Sequence, residues 1–139
     1  MALQIALLEK SFQLIAPQGE AFVIAFYEHL FTQYPQTRDF FASTSMKEQH
    51  KKLLGALALV IQSLRKPEAL ASTLKSLGQR HVNYGVRPEH YPIVGIILLS
   101  TFAEFLGDDW TTEYHNAWTE AYGVITTIML EGTQVAIPA

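Results

Sequence analysis

Cysteine is absent from the 139 residues. Disulfides, thiolate metal sites and thiol nucleophiles are therefore excluded. Charge is sparse: Asp, Glu, Lys and Arg make up 17% of the chain, with a formal net charge of -3. Without a positive excess there is no electrostatic footprint for nucleic acid or an anionic lipid surface. No uninterrupted apolar run is long enough to span a bilayer. The start, Met1 to Lys10, has no basic segment ahead of its apolar residues and is broken by Glu9 and Lys10, so it does not resemble a secretory signal. The expectation is a soluble, cytoplasmic protein with no nucleic-acid partner and no membrane span. Also missing are an HExxH pair, a glycine-rich phosphate loop and a serine elbow, while His29, His90 and His115 fall at no zinc-binding spacing. The carboxylates are scattered over positions expected at the surface, which gives hydrolytic chemistry no support.

What is present is apolar material, 49% of the chain, cut into segments by proline and glycine. A chain of this length buries roughly two-thirds of its unfolded surface in a single core, so one domain over residues 1–139 is expected. Apolar residues recur at helical spacing and strict alternation is nowhere sustained, so the fold class is all-α. Helices are expected near 3–15, 18–34, 46–64, 67–81, 89–106 and 110–131. Pro17 and Pro35 stop the first two, Pro67 suits a first turn, and Gly85 a left-handed C-terminal cap. Phe40 and Phe41 fall in a short turn. An aspartate of Gly107-Asp108-Asp109 is the expected cap of the last helix. The third helix is apolar almost all round after Lys52 and is expected to be central. The tail from Val135 to Ala139 is expected to fray.

Polar residues on apolar stripes carry the functional information. Leu70, Leu74, Leu77 and His81 fall at i, i+4, i+7 and i+11, which turns the imidazole inward at the last turn of its helix. A neutral imidazole nitrogen in an apolar interior suits an axial metal ligand such as haem iron requires. A histidine at a helix C-terminus can equally serve the helix dipole or a core hydrogen bond. Tyr27 shares a stripe with Val23, Leu30 and Tyr34, flanked by Phe22, Phe26 and Phe31. Its buried hydroxyl needs a partner, whether backbone, neighbour or ligand, since leaving it unpaired costs about 1–3 kcal/mol. Gln49 heads the stripe Leu53, Ala56, Val60 and Leu64, and His50 heads the neighbouring one with Leu54, Leu57 and Ile61. Periodicity does not choose between them.

Five stretches, in this order and spacing, carry a resemblance: Phe26-Tyr27-Glu28-His29-Leu30-Phe31, Thr37-Arg38-Asp39-Phe40-Phe41, Leu77-Gly78-Gln79-Arg80-His81, His90-Tyr91-Pro92-Ile93-Val94-Gly95, and Ala117-Trp118 through Ala121-Tyr122-Gly123-Val124-Ile125. Over nearly the whole chain the pattern resembles the bacterial single-domain globins of the Vitreoscilla type and the globin half of flavohaemoglobins. The resemblance implies a globin fold around haem b, iron protoporphyrin IX. It implies His81 as the proximal iron ligand and Phe41 stacked on the porphyrin, with Leu53, Leu77, Val86, Tyr91 and Val94 also against the haem. On the gas side it implies Tyr27 and, counting back from Gln62, favours Gln49, with His50 one position away and still a candidate.

The resemblance implies reversible binding of oxygen or another diatomic gas. Alternatively it implies nitric oxide dioxygenation, in which oxygen and nitric oxide become nitrate and a separate reductase restores the iron. In flavohaemoglobins a glutamate late in the final helix couples to the proximal side. Here Thr133 holds that position, and the nearest acid, Glu131, is two residues off, about 200° around a helix. The resemblance therefore leaves at most weak peroxidase activity, without the register that would make His81 a stronger donor. A haem-free regulatory module is a third reading. A bilin carrier is disfavoured, because such carriers tether their pigment through cysteine.

Overall fold

The structure, a computed structural model, describes residues 3–133. The tail from Val135 to Ala139 lies outside them. Six α-helices are present among the described residues: α1 (Ile5–Ile15), α2 (Gly19–Gln33), α3 (Met46–Ser63), α4 (Pro67–Asn83), α5 (Tyr91–Leu106) and α6 (Thr112–Thr133). Short 3-10 turns at Ala16–Gln18, Pro35–Phe41, Pro88–His90 and Gly107–Asp109 join them, and no strand occurs among those residues. The boundaries follow local chemistry. Proline supplies its preset φ at the first turns of α4 and α5. Tyr34, ahead of Pro35, is forced out of the helical region (φ -133, ψ 72), which ends α2. The cap of α6 is not an aspartate: Thr111 Oγ1 accepts the Tyr114 N–H at 3.2 Å, while Asp108 and Asp109 belong to the preceding 3-10 turn.

Packing is closest where side chains are smallest. A methyl added to Gly78 in α4 would overlap the Met129 carbonyl of α6, and one added to Gly132 would lie 2.5 Å from the Lys75 carbonyl oxygen. One glycine from each helix thus brings α4 and α6 into backbone contact at two points about one turn apart. α1 is tied to α6 by the buried bond from Trp118 Nε1 to Ser11 Oγ at 2.8 Å. Around Phe102 the rings of Phe22, Trp118 and Trp110 stand at centroid distances of 4.8, 4.6 and 5.3 Å, within the range favoured for aromatic pairs.

The central helix is α5, with Tyr91, Gly95, Ile97, Leu98, Thr101, Phe102 and Leu106 buried. The expectation that α3 would be central is corrected: only Val60 and Ser63 of α3 are buried, and Leu59 is 45% exposed. Its apolar residues Leu53, Ala56, Leu57 and Val60 line a cavity rather than a packed interior, a distinction that periodicity does not register. The segment Pro88–Asp109 is long and apolar enough, by length and composition alone, to cross a membrane. Counting uninterrupted runs missed it because Glu89 and Glu104 break the run. In the fold one side of α5 is buried in the core, while Ile96 on the other side is 58% exposed.

The glycine contacts yield opposite expectations at two sites. Gly78→Ala drives a methyl into backbone that cannot yield and lowers unfolding free energy by about 1–2 kcal/mol, although alanine is the better helix former. Gly123→Ala, with no atom within 4 Å of the added carbon, raises it by about 0.5–1 kcal/mol. Urea unfolding followed by circular dichroism reads both.

Candidate functional site

An apolar cavity of about 140 Å³ lies between α3, α4, α5 and α6. His81 reaches it from the last turn of α4, whose inward stripe carries the buried Leu70 and Leu74. The turn is locked by its cap. Gly85 (φ 88) donates its N–H to the Val82 carbonyl at 2.9 Å, and Val86 donates to the His81 carbonyl at 3.0 Å, the paired bonds of a Schellman ending. The cap thereby fixes Val86 beside His81 on the cavity wall.

The His81 ring is itself oriented. Nδ1 lies 2.7 Å from the Leu77 carbonyl, and since a carbonyl only accepts, Nδ1 carries the proton. Nε2 is left as the basic nitrogen, with no protein partner among the described residues. Burial pushes the imidazole pKa below its ordinary value, Arg80 adds to this, and the Leu77 bond works against it. The ring is therefore neutral near pH 7, with a free lone pair. Among the described residues no three His, Asp or Glu side chains converge into a metal cage, so a metal at Nε2 must bring its remaining ligands with it.

Leu53, Leu77, Val86, Tyr91 and Val94 line the same cavity as His81. Phe41, Tyr27, Gln49 and His50 do not. They form an adjoining cluster, connected to the cavity through Phe26, next to Tyr27, and Leu53, one turn beyond Gln49. The Tyr27 ring is buried, with Phe26, Phe41 and Phe31 at 5.1, 5.5 and 5.9 Å and the His50 ring at 5.6 Å. Gln49 Nε2 donates to the Tyr27 hydroxyl oxygen at 3.0 Å, which leaves the phenolic proton free. Both Gln49 and His50 stand beside Tyr27, the first by a hydrogen bond and the second by ring proximity. Glu131 is exposed and Thr133 donates to the Leu130 carbonyl at 2.6 Å, so no carboxylate from the end of α6 stands against His81 or Tyr91.

Several wall residues escaped the sequence reading. Trp118, Tyr122, Ile125 and Met129 line the cavity from α6. Their i, i+4, i+7, i+11 spacing is the signal that placed His81 inward, and applied to α6 it would have found them. Thr126 and His90 also reach the wall. His90 Nδ1 accepts the Arg87 backbone N–H at 2.9 Å, a local bond that no spacing rule reveals.

Comparison with known proteins extends this picture. The family described as Globin matches residues 24–129. A flavohemoprotein of Rhizobium meliloti is 37% identical over 117 residues, covering 83% of this chain and 29% of that protein. A flavohemoprotein of Bacillus subtilis is 31% identical over 123 residues, covering 87% and 31%. The chain thus spans about three-tenths of the length of these relatives. Among solved structures, a bacterial globin from Campylobacter jejuni superposes with a TM-score of 0.82 at 28% identity, covering 94% of each chain. An engineered carbene transferase, from a candidate nitric oxide dioxygenase of Rhodothermus marinus, gives 0.84 at 28%, covering 97% of this chain and 96% of that one.

The Tyr27 environment makes a pH prediction. Burial pushes its hydroxyl up to about 12, against the lesser opposing pull of Gln49. A phenol whose folded pKa exceeds its unfolded value of 10 contributes stability that is intact below pH 10 and lost as pH rises toward 12. Tyr27→Phe therefore loses about 2–3 kcal/mol less than the parent over that interval. Denaturant titrations of both proteins at pH 9 and pH 12 measure the difference.

Proposed function

The chain belongs to the globin family, and from that premise we propose that it holds haem b through His81 and binds oxygen or another diatomic gas beside Tyr27 and Gln49. The observation that carries this reading is the His81 ring: neutral, oriented through Nδ1 on the Leu77 carbonyl, and free at Nε2 on the wall of an apolar cavity. The chain's residues suit the group. An apolar wall that includes Leu53, Leu77, Val86, Tyr91 and Val94 has the chemistry that suits a flat hydrophobic macrocycle, and one imidazole would supply the protein's share of the ligands. When bound, the haem supplies an iron with a coordination position open to a diatomic gas.

The remaining work falls to the chain. The Gln49 amide donates to the Tyr27 oxygen and so polarises the phenol, whose own proton is free for a gas carrying partial negative charge. Phe26, Phe31 and Phe41 keep water from that proton, and their low dielectric strengthens the bond it makes. His50, whose ring centroid lies 5.6 Å from that of Tyr27, is the alternative donor in this reading. A single globin domain over residues 1–139 and a cytoplasmic setting are part of this reading.

The flavohemoprotein relatives and the Rhodothermus marinus neighbour favour a second reading, nitric oxide dioxygenation, with oxygen and nitric oxide combining to nitrate. That reaction consumes electrons, which a separate reductase would return. Sustained nitrate formation with a reductase, against a single turnover without one, distinguishes it from simple gas binding.

Absorption spectroscopy tests the first reading. The purified protein should show an intense Soret band that moves when carbon monoxide meets the reduced form, and His81→Ala should lose it unless imidazole is added. A colourless protein indifferent to added haemin would overturn the assignment. Tyr27→Phe should raise the oxygen dissociation rate about ten- to a hundredfold, as loss of a hydrogen bond to a partly charged acceptor implies. An unchanged rate would remove Tyr27 from the gas-binding role.

A further inference from the structure

The charges of this chain are segregated along its length. All ten Lys and Arg lie in residues 1–87, whereas residues 88–139 hold seven Asp and Glu and no Lys or Arg. The division falls at the corner Val82–Arg87, which joins α4 to α5. There Val82 and Tyr84 are 51% and 56% exposed, flanked by the exposed Arg80 and Arg87 with no acid between them. Beyond the corner, on the side of α5 away from the His81 cavity, a surface groove of about 530 Å³ runs between α5 and α6, lined by residues including Pro92, Ile96, Leu99, Ala103 and Trp110. No Asp, Glu, Lys or Arg lines it, and Ile96 is 58% exposed. Of the five large apolar side chains exposed among the described residues, the corner and the groove hold three. Single exposures scattered over a surface are ordinary, whereas a clustered set marks a contact surface.

The corner leads through Pro88–His90 into α5, whose second residue, Pro92, opens the groove. The far end is acidic. Glu104 follows Ala103, and Asp108 and Asp109 run directly into Trp110, all three acids being exposed. Glu104 also meets the His29 ring at 3.1 Å, and one acid, Glu89, lies at the basic end. The two ends stand about 24 Å apart along the 16 residues of α5, well beyond the roughly 8 Å screening length of physiological salt, so each acts as a separate pole. The surface along α5 therefore runs from basic, through apolar, to acidic. Two such surfaces laid antiparallel set opposite charges together at both ends and apolar against apolar in the middle.

We propose that two copies of this chain pair about a two-fold axis across α5, each setting its Val82–Arg87 corner against the Glu104–Trp110 end of the other, with both Ile96 side chains buried between them. A two-fold pair needs a surface complementary to itself, and a basic-apolar-acidic stripe meets that need. Tyr and Arg, which stand at the corner, are the residues that anchor such contacts. A stable pair buries about 1,200 Å² or more, and reciprocal corners supply two contacts where a head-to-tail arrangement supplies one. The inference goes beyond gas binding and does not rest on it. Pairing would nonetheless reach within one side chain of the candidate ligand, because the Tyr84 ring centroid lies 5.8 Å from that of His81.

Sedimentation equilibrium of the full chain across a range of concentrations tests the pair. The parent should show a monomer–dimer equilibrium. Ile96→Asp puts a charge in the apolar middle and should raise the dissociation constant about tenfold or more. Arg80→Glu combined with Arg87→Glu reverses the basic pole, and Asp108→Lys combined with Asp109→Lys reverses the acidic one. Each doubly substituted chain alone should pair as poorly as Ile96→Asp, because like charges then meet at both ends. Mixed in equal amounts the two should pair again, since every corner then meets an end of opposite sign. All five positions are exposed, and circular dichroism checks that each variant folds. Recovery in the mixture supports the pair. A parent that stays monomeric up to about millimolar concentration overturns it and leaves the groove to a different protein. A dimer indifferent to every variant overturns it by placing the contact elsewhere, and species that grow past the dimer overturn the two-fold arrangement in favour of an open head-to-tail chain.

Discussion

A 2.7 Å hydrogen bond from His81 Nδ1 to the Leu77 carbonyl decides what the rest of the site can do. It spends one ring nitrogen on the protein's own backbone, fixes the ring plane and leaves a single basic atom for the cavity. Everything nearby serves to hold that bond in place. Gly78 and Gly132 let α4 lie directly on α6, so the turn carrying His81 is braced by backbone rather than by side chains that can change rotamer. The Gly85 cap takes up the His81 and Val82 carbonyls and stops the helix there. Burial then keeps the ring neutral, because a charged imidazole on this apolar wall would lose part of the solvent that stabilises it.

Tyr27 stands under a similar constraint with a different outcome. Its hydroxyl is buried among aromatic rings and its oxygen accepts a hydrogen bond from the Gln49 amide. A phenol that accepts one bond and has a proton to give is a directed donor in a region of low dielectric. Because α2 and α3 each supply half of the pair, the donor is positioned by the contact between two helices and not by a loop. Phe41 reaches the same cluster from the 3-10 turn Pro35–Phe41, whose start is set by Pro35.

The sequence made the helices legible because proline and glycine mark their ends and because the 3.6-residue period survives in every segment. His81, with Leu70 and Leu74 ahead of it on one stripe, could be turned inward from spacing alone. Tyr27 could be placed in the interior, although its partner could not, since the bond to Gln49 joins residues 22 apart in sequence and depends on how α2 crosses α3. α3 was misjudged because apolar residues around a cavity read like apolar residues around a core. The cap at Thr111 was displaced from Asp108 and Asp109 by a 3-10 turn that the dipeptide did not reveal. The α6 wall, Trp118 to Met129, was present in the pattern and overlooked, because aromatic and aliphatic stripes are ordinarily packing.

The acceptor chosen for His81 Nδ1 also separates two kinds of chemistry. A carboxylate in that place, or coupled to it, would draw the proton from the imidazole and make Nε2 a stronger electron donor, as outer partners of metal-ligating histidines do. Here the acceptor is a neutral carbonyl, Thr133 spends its hydroxyl on its own helix, and Glu131 faces solvent. Nε2 then lacks the added donor strength that a carboxylate partner would give it. On the proposed reading, strong donation would favour breaking a bond within the gas, whereas weaker donation, with Tyr27 as a hydrogen-bond donor to the intact molecule, would favour holding and releasing it. On the proposed reading, the backbone carbonyl of Leu77 weighs toward reversible binding.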